Sequence, residues 1–190
     1  HTAQESFRCD LVVLATGVNS RPPLAPAFGY QPPATEQMSQ DEVARPANWP
    51  AYKVAGFFGA PPAGLLFGAV VPKGRYVNVS LLGKGPWHGK GRAADIVPEF
   101  YKTQEPALRR FFPDLPASLC SCQPRIATRP AKKYFGDRWV AVGDASVTRL
   151  YKDGINSAFL TSGAAMRTAV EEGIARQNFE QAYAPFCKML

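Results

Sequence analysis

The sequence predicts an α/β fold interrupted by an α+β insertion, and three observations carry that prediction. Two apolar runs, Cys9–Ala15 near the start and "RWVAVG" over 138–143, read as buried strands. Between them, "RYVNVSLLG" alternates Tyr76, Asn78 and Ser80 with Val77, Val79 and Leu81, the period of a strand with one buried face. After the second run comes the best helix of the chain, from Gly154 to about Ile174.

The chain has 190 residues, 46% hydrophobic and 19% charged, which fits a soluble globular protein large enough for one good core or two small ones. The longest apolar run is too short for a membrane span, so no transmembrane helix is expected. A net charge of +7 favours anionic partners. The basic residues are nevertheless scattered, with only short pairs such as Arg109-Arg110 and Lys132-Lys133, and no nucleic-acid-binding pattern accompanies them. The expectation is therefore a solvated basic surface and no nucleic-acid partner. Cys120 and Cys122, two residues apart on a strand, would face one side, while Cys9 and Cys187 stand alone. Without a second Cys or His pair beside them no metal site is expected, and reduced thiols of a cytoplasmic protein are the default.

The chain begins with His1 and is at once inside a strand-like run, so it reads as an excised or truncated piece of a longer protein. The strand ending at Thr16-Gly17 is followed by a proline-punctuated stretch over 20–50 ("SRPPLAP", "YQPPA", "RPANWP"), expected to be a long crossing connection. "YKVAGFFGA" and "GLLFGAVVP", parted by Pro61–Gly64, then join "RYVNVSLLG" as an antiparallel meander. Pro98, Pro106 and Pro113 bound two short helices with Ile96, Phe100, Tyr101, Leu108, Phe111 and Phe112 at helical spacing. "CQPRIATRPAKKYFGD" leads into the late strand, and Asn178–Leu190 reads as a further helix. On the helix after Gly154, Ile155, Phe159, Met166 and Val170 are expected to form the buried face. Ala158, Ser162, Ala165 and Ala169 form a small-residue stripe that lets a backbone or flat ligand approach.

The chemistry concentrates in "VAVGDASVTRLYKDGINSAF". Gly143 ends the strand and tolerates a turn that other residues resist. Asp144 follows at the carboxyl end of that strand, where open α/β sheets bind ligands and a carboxylate can accept hydrogen bonds from sugar hydroxyls. Ten residues later Gly154 opens a helix whose first N–H groups are unpaired and carry the positive end of its dipole. The alternative is a plain strand–loop–helix turn with Asp144 as a solvated cap.

Taken with "CDLVVLATGVNSR", whose Gly17, Asn19 and Ser20 fit an early D-G-x-x-S motif, the late Gly143-Asp144-Ala145 and Gly154 resemble FAD-dependent oxidoreductases of the glutathione-reductase type. Within them the chain is most similar to the branch of aromatic-ring hydroxylases and geranylgeranyl reductases. "GLLFGAVVPKGRYVNVSLLG" resembles the substrate-domain strands of the reductases. The chain departs from the pattern at Thr16 (for Asp), Tyr151 (for Pro) and Asn156 (for a second Gly).

The resemblance implies an incomplete FAD-binding Rossmann-like domain, residues 1–22 and 124–190, with an inserted antiparallel substrate sheet over 23–123. It implies that Asp144 bonds ribose or ribityl hydroxyls of FAD, that Gly154 turns toward the flavin pyrimidine edge, and that Ile155 and Asn156 aim backbone N–H groups at a flavin carbonyl. Thr16, Gly17, Gly143 and Ala145 complete the implied cofactor-binding set. The family's N-terminal strand–GxGxxG–helix has no counterpart here, since "GKGPWHGKGR" over 83–92 has other spacing and holds Pro86. The ADP-binding segment is thus expected outside this chain, and the fragment alone is expected to be inactive.

The implied activity is hydride transfer between NAD(P)H or another donor, flavin and a small apolar substrate, such as an isoprenoid or lipid. Hydroxylation of an aromatic or apolar substrate by a flavin monooxygenase is one alternative, and a non-catalytic lipid- or protein-binding remnant is another. With a lipid substrate, peripheral membrane contact follows. Phe57, Phe58, Phe67 and Tyr76 are candidates to line an apolar pocket, or else core residues. No catalytic acid or base is assigned; Tyr151 and Lys152, close in sequence to the implied flavin turn, are candidates or else surface or packing residues, and the loop residue His88 reads as surface.

Overall fold

The computed structural model describes residues 7–18, 28–58, 65–83, 100, 117–148 and 154–190. Among the described residues ten strands are formed: β1 (Val12–Leu14), β2 (Thr35–Gln37), β3 (Ser39–Ala44), β4 (Ala55–Phe58), β5 (Leu65–Lys73), β6 (Tyr76–Gly83), β7 (Ser118–Cys122), β8 (Arg125–Ala127), β9 (Phe135–Gly136) and β10 (Trp139–Ala141). The helices are α1 (Gly154–Arg167), α2 (Arg176–Asn178) and α3 (Ala184–Met189). The chain divides into two compact units, His1–Thr35 with Ile126–Leu190, and Glu36–Arg125. Their boundaries fall at 35/36 and 125/126, where the sequence reading had 22/23 and 123/124. Residues 30–35 go with the first unit because Tyr30 is buried there, its ring edge-on to Trp139 at 6.2 Å. A two-stranded sheet of β2 and β8 contains both boundaries.

In the first unit β1 lies parallel to β10, with Leu14 opposite Ala141, and β9 pairs antiparallel on the other side of β10. Alternation along β10 divides the unit into two layers. Val140 and Val142 pack with Ala165, Phe179, Tyr183 and Cys187 from the helices. Trp139 and Ala141 pack with Leu14, Tyr30 and Ala131 on the opposite face. The early strand is shorter and less covered than its apolar run suggests: Cys9 and Val13 are exposed, because β1 is an edge strand of this sheet.

The helical layer corrects a sequence expectation. Ile155, Phe159, Met166 and Val170 are exposed, Ile155 to 91%, and the buried face of α1 and its continuation is Ser157, Thr161, Ala165 and Thr168. The cause is proximity: a β-carbon on Gly143 would lie 3.1 Å from the Ala158 β-carbon, so only small side chains fit between strand end and helix. Beyond Arg167 the helix widens into a π-helical turn, Thr168–Glu172, and ends at Gly173 with φ +115°. Asn178 then joins the helices, its Nδ2 donating to the Glu172 carbonyl at 2.8 Å and its Oδ1 accepting from the Ala175 N–H at 3.1 Å. A second π-helical turn, Phe179–Tyr183, links α2 to α3 and buries Phe179 and Tyr183.

The second unit is an antiparallel five-stranded sheet in the order β4-β5-β6-β3-β7. The expected meander is β4-β5-β6, turned between β5 and β6 at Gly74 with φ +63°. β3 was not expected, since 20–50 read as connection; it inserts beside β6 with Val43 opposite Val77. Val43, Leu65, Val70, Val77, Val79, Leu81 and Phe100 form the core on one face. β6 is central and buried along both faces, not one: Val77–Gly83 are all buried, and Ser80 Oγ donates to Asn78 Oδ1 at 2.7 Å. The expected short helices over 93–113 (apart from Phe100) and the loop carrying His88 lie outside the described residues. Among the described residues no helix is long and apolar enough to cross a membrane.

Candidate functional site

The candidate site is the end of β10 and the start of α1. Gly143–Ala145 form a single 3-10 turn that opens from extended Val142. Gly143 has φ +60°, a conformation in which any β-carbon is strained, and it directs the chain toward α1. Because β1 and β10 are parallel and in register at Leu14 and Ala141, Thr16-Gly17 and Gly143-Asp144 emerge at the same carboxyl end of the sheet. Val142 N–H extends that pairing to the Leu14 carbonyl at 3.0 Å. Gly17 turns there with φ +63°, and Thr16 is exposed. Asn19, Ser20, Tyr151 and Lys152 lie outside the described residues.

Four hydroxyls hold the turn. Gly143 N–H donates to Thr161 Oγ1 at 2.7 Å, and Ser146 Oγ donates back to the Gly143 carbonyl at 3.0 Å. Tyr30 donates from the opposite face to the Ala145 carbonyl at 2.5 Å. Tyr183, from the C-terminal helices, donates to the Ala141 carbonyl at 2.8 Å and meets Ser146 Oγ at 3.3 Å. The Gly143 carbonyl also accepts from the Ser146 N–H at 2.8 Å, and a buried carbonyl left without any donor costs about 1–3 kcal/mol. Burial raises the Tyr30 phenol above its ordinary range. Burial and the neighbouring Cys187 raise the Tyr183 phenol well above its own, and burial pushes the Cys187 thiol to about 11. These groups are neutral at physiological pH, so both tyrosines keep the proton that they donate.

Asp144 is the exception in this satisfied network. Its Oδ1 is buried without a hydrogen-bond partner among the described residues. The carboxylate lies against the first residue of α1: a β-carbon on Gly154 would be 3.2 Å from Oδ1 and 3.3 Å from Oδ2. Glycine at 154 therefore leaves a cradle that alanine would fill. An unpaired acceptor beside the donor-rich start of a 14-residue helix is the donor and acceptor set that a hydroxylated, partly carbonylic ligand requires. Ile155 and Asn156 follow with exposed side chains, and Ala145 is buried under the turn.

The structure thus brings Gly143, Asp144, Ala145, Gly154, Ile155 and Asn156 to one place and puts Thr16-Gly17 at the same sheet end. Sequence reading missed Tyr30, Ser146, Thr161 and Tyr183. A Tyr at helical spacing reads as core, and only the buried hydroxyls disclose their part. The aromatic candidates divide: Phe57 packs into the second unit's core against Phe100 at 5.2 Å, while Phe58 and Phe67 pair at 5.5 Å across β4 and β5. Tyr76 lies under the Arg75 guanidinium, 4.9 Å from its ring centre. Cys9, Cys120, Cys122 and Cys187 are free thiols, and no group of three or more His, Cys, Asp or Glu could hold a metal among the described residues.

The fold is similar to that of solved flavin-dependent enzymes. No family model matches the chain, and no curated protein matches it in sequence. Solved structures do match. A triple mutant of the flavin-dependent brominase Bmp2 shares 14% identity over 87% of this chain and 44% of its own, with a TM-score of 0.68. A geranylgeranyl bacteriochlorophyll reductase-like protein from Thermoplasma acidophilum shares 17% over 96% and 47%, with a TM-score of 0.65. Aklavinone-11 hydroxylase, solved with FAD and aklavinone, shares 17% over 86% and 31%, with a TM-score of 0.58. The chain therefore spans less than half the length of each of these proteins.

Proposed function

We propose that this chain is part of a flavin-dependent oxidoreductase or monooxygenase and that the β10–α1 junction holds the ribityl chain and pyrimidine edge of FAD. One observation carries the reading: the buried, unpartnered Asp144 oxygen beside the glycine start of α1. Halogenases, hydroxylases and a geranylgeranyl reductase-like enzyme sharing the fold support it.

In this reading Asp144 accepts hydrogen bonds from ribityl or ribose hydroxyls, which compensates the desolvation of Oδ1. The backbone N–H groups of Gly154, Ile155 and Asn156 donate toward a flavin carbonyl, and the helix dipole favours negative charge there. Thr16 and Gly17 border the same sheet end. When bound, a flavin supplies two-electron chemistry, passing hydride from a nicotinamide or other donor to an unsaturated substrate or activating oxygen for hydroxylation. Phe58 and Phe67 on the second unit's sheet suit an apolar substrate such as an isoprenoid, lipid or aromatic ring. A lipid substrate brings peripheral membrane contact with it. The pyrophosphate and adenosine are left to an ADP-binding segment beyond this sequence, so the chain alone binds FAD weakly and turns over nothing.

The test is titration of FAD with the purified chain to millimolar protein, followed by flavin fluorescence. Saturable quenching that Asp144→Ala abolishes, with the fold intact by circular dichroism, is expected. Absent quenching in the folded wild-type chain, or equal quenching by the variant, overturns the reading and leaves a non-catalytic binding module.

A further inference from the structure

We propose that Thr161 is a positioning residue that sets the gap between Asp144 and the start of α1, an inference that rests on the flavin reading above. Thr161 is fully buried on α1, seven residues or about two turns beyond Gly154, and touches neither Asp144 nor the helix start in the hydrogen-bond network. Its influence runs through Gly143.

The geometry is a tether with a stop. Thr161 Oγ1 donates to the Ser157 carbonyl, one turn back, at 2.7 Å. A hydroxyl has a single proton, and here it turns back to the helix, closest to the Ser157 carbonyl and 3.3 Å from that of Ala158, which leaves a lone pair facing outward. Gly143 N–H meets that lone pair at 2.7 Å. The strand end is thereby held to α1 by one atom that is itself held by the helix backbone. The Ala158 side chain supplies the stop, since it lies 3.1 Å from the position a β-carbon at 143 would take and leaves room there for glycine alone. Tether and stop together leave the strand end one distance from α1.

Asp144 is the next residue, and its carboxylate lies against Gly154 with Gly143 in that position at φ +60°. Burying Oδ1 unpaired is unfavourable, and a free strand end would rotate the carboxylate toward water. The Gly143–Thr161–Ser157 relay opposes that rotation, so the site is assembled before any ligand arrives. Valine is nearly isosteric with threonine but has no acceptor; serine keeps the acceptor and loses the methyl.

The experiment compares the wild-type chain with Thr161→Val and Thr161→Ser, reading Gly143 and Asp144 amide exchange by NMR and FAD binding by fluorescence. Thr161→Val is expected to speed Gly143 exchange and to weaken FAD binding, each by about tenfold. Thr161→Ser is expected to restore both. A Thr161→Val chain with native dispersion, unchanged Gly143 exchange and unchanged FAD affinity overturns the proposal, as does loss of FAD binding by Thr161→Ser with its fold intact. Should Thr161→Val fail to fold, the wild-type Gly143 amide decides: strong protection supports the tether, and exchange at the rate of an exposed amide overturns it. Were the wild-type chain to bind no FAD while Gly143 exchange responded to Thr161→Val, the flavin reading would fail and the tether would stand.

Discussion

Asp144 and Gly154 meet across ten residues of sequence, the carboxylate lying within 3.3 Å of the position a Gly154 β-carbon would take. Strand end and helix start are thus one surface, and the carboxylate oxygen at its centre has no partner among the described residues. Four other side-chain hydroxyls hold the backbone around it. The predictions that follow separate that support from the carboxylate itself.

Gly154→Ala should affect binding more than stability. Alanine's gain over glycine at this first helical position, below the about 1 kcal/mol of a helix interior, offsets the few tenths of an ångström by which the carboxylate must retreat. Tm is expected to stay nearly constant while FAD quenching weakens. Unchanged quenching would show that the cradle at 154 does not matter to the ligand.

Gly143→Ala should do the reverse and destabilise first. A left-handed alanine costs about 1–2 kcal/mol, and its β-carbon would press on Ala158 at 3.1 Å. Urea unfolding should show the loss, and the double variant with Ala158→Gly should recover the contact part of it.

Tyr183→Phe removes a side-chain donor to the buried Ala141 carbonyl. The expected cost is about 1–3 kcal/mol, or a fall in Tm of about 2–4 °C for each kcal/mol. Calorimetry of the variant measures it directly. No change in Tm would mean that the carbonyl finds water instead.

Asp41 gives the second unit a pH dependence. Burial raises its carboxyl above the ordinary carboxylate range, although Ser118 Oγ donates to it at 2.8 Å and opposes the shift. The folded chain then holds this proton more tightly than the unfolded chain, so stability declines as pH rises from about 4 through the raised folded pKa. Asp41→Asn should gain stability over that same window, with the advantage growing with pH and then levelling. An advantage that shrinks with pH contradicts the burial assignment.

The thiols should divide by exposure. Cys9, Cys120 and Cys122 are exposed, whereas Cys187 is buried with its thiol pushed to about 11. With an aromatic disulfide reagent at pH 8, the first three should react in the native state and Cys187 only after denaturation.

What could be read in advance depended on whether local chemistry agreed with packing. Gly143-Asp144 and Gly154 were legible because a glycine at a strand end and a glycine at a helix start each have a local cause. The hairpin at Lys73-Gly74 was legible for the same reason. β3 was not, because Ser39 and Asp41 occupy its inward positions beside Val43 and break the apolar alternation that marks a strand. The inward face of α1 was misread because bulk usually indicates burial, whereas here contact with the strand end selects Ser157, Ala158 and Thr161. Thr161 and Tyr183 act through hydroxyls on residues 18 and 42 positions from their backbone partners, a relationship no local pattern contains.

The most direct test of the central claim is a proton–nitrogen NMR map of the chain titrated with FAD, recorded for the wild type and Asp144→Asn. The account predicts shifts concentrated at Gly143–Ala145 and Gly154–Asn156, reduced or lost in the variant while the remaining spectrum is unchanged. A folded wild-type chain whose amides at those positions do not respond to millimolar FAD, or respond equally in Asp144→Asn, would contradict it.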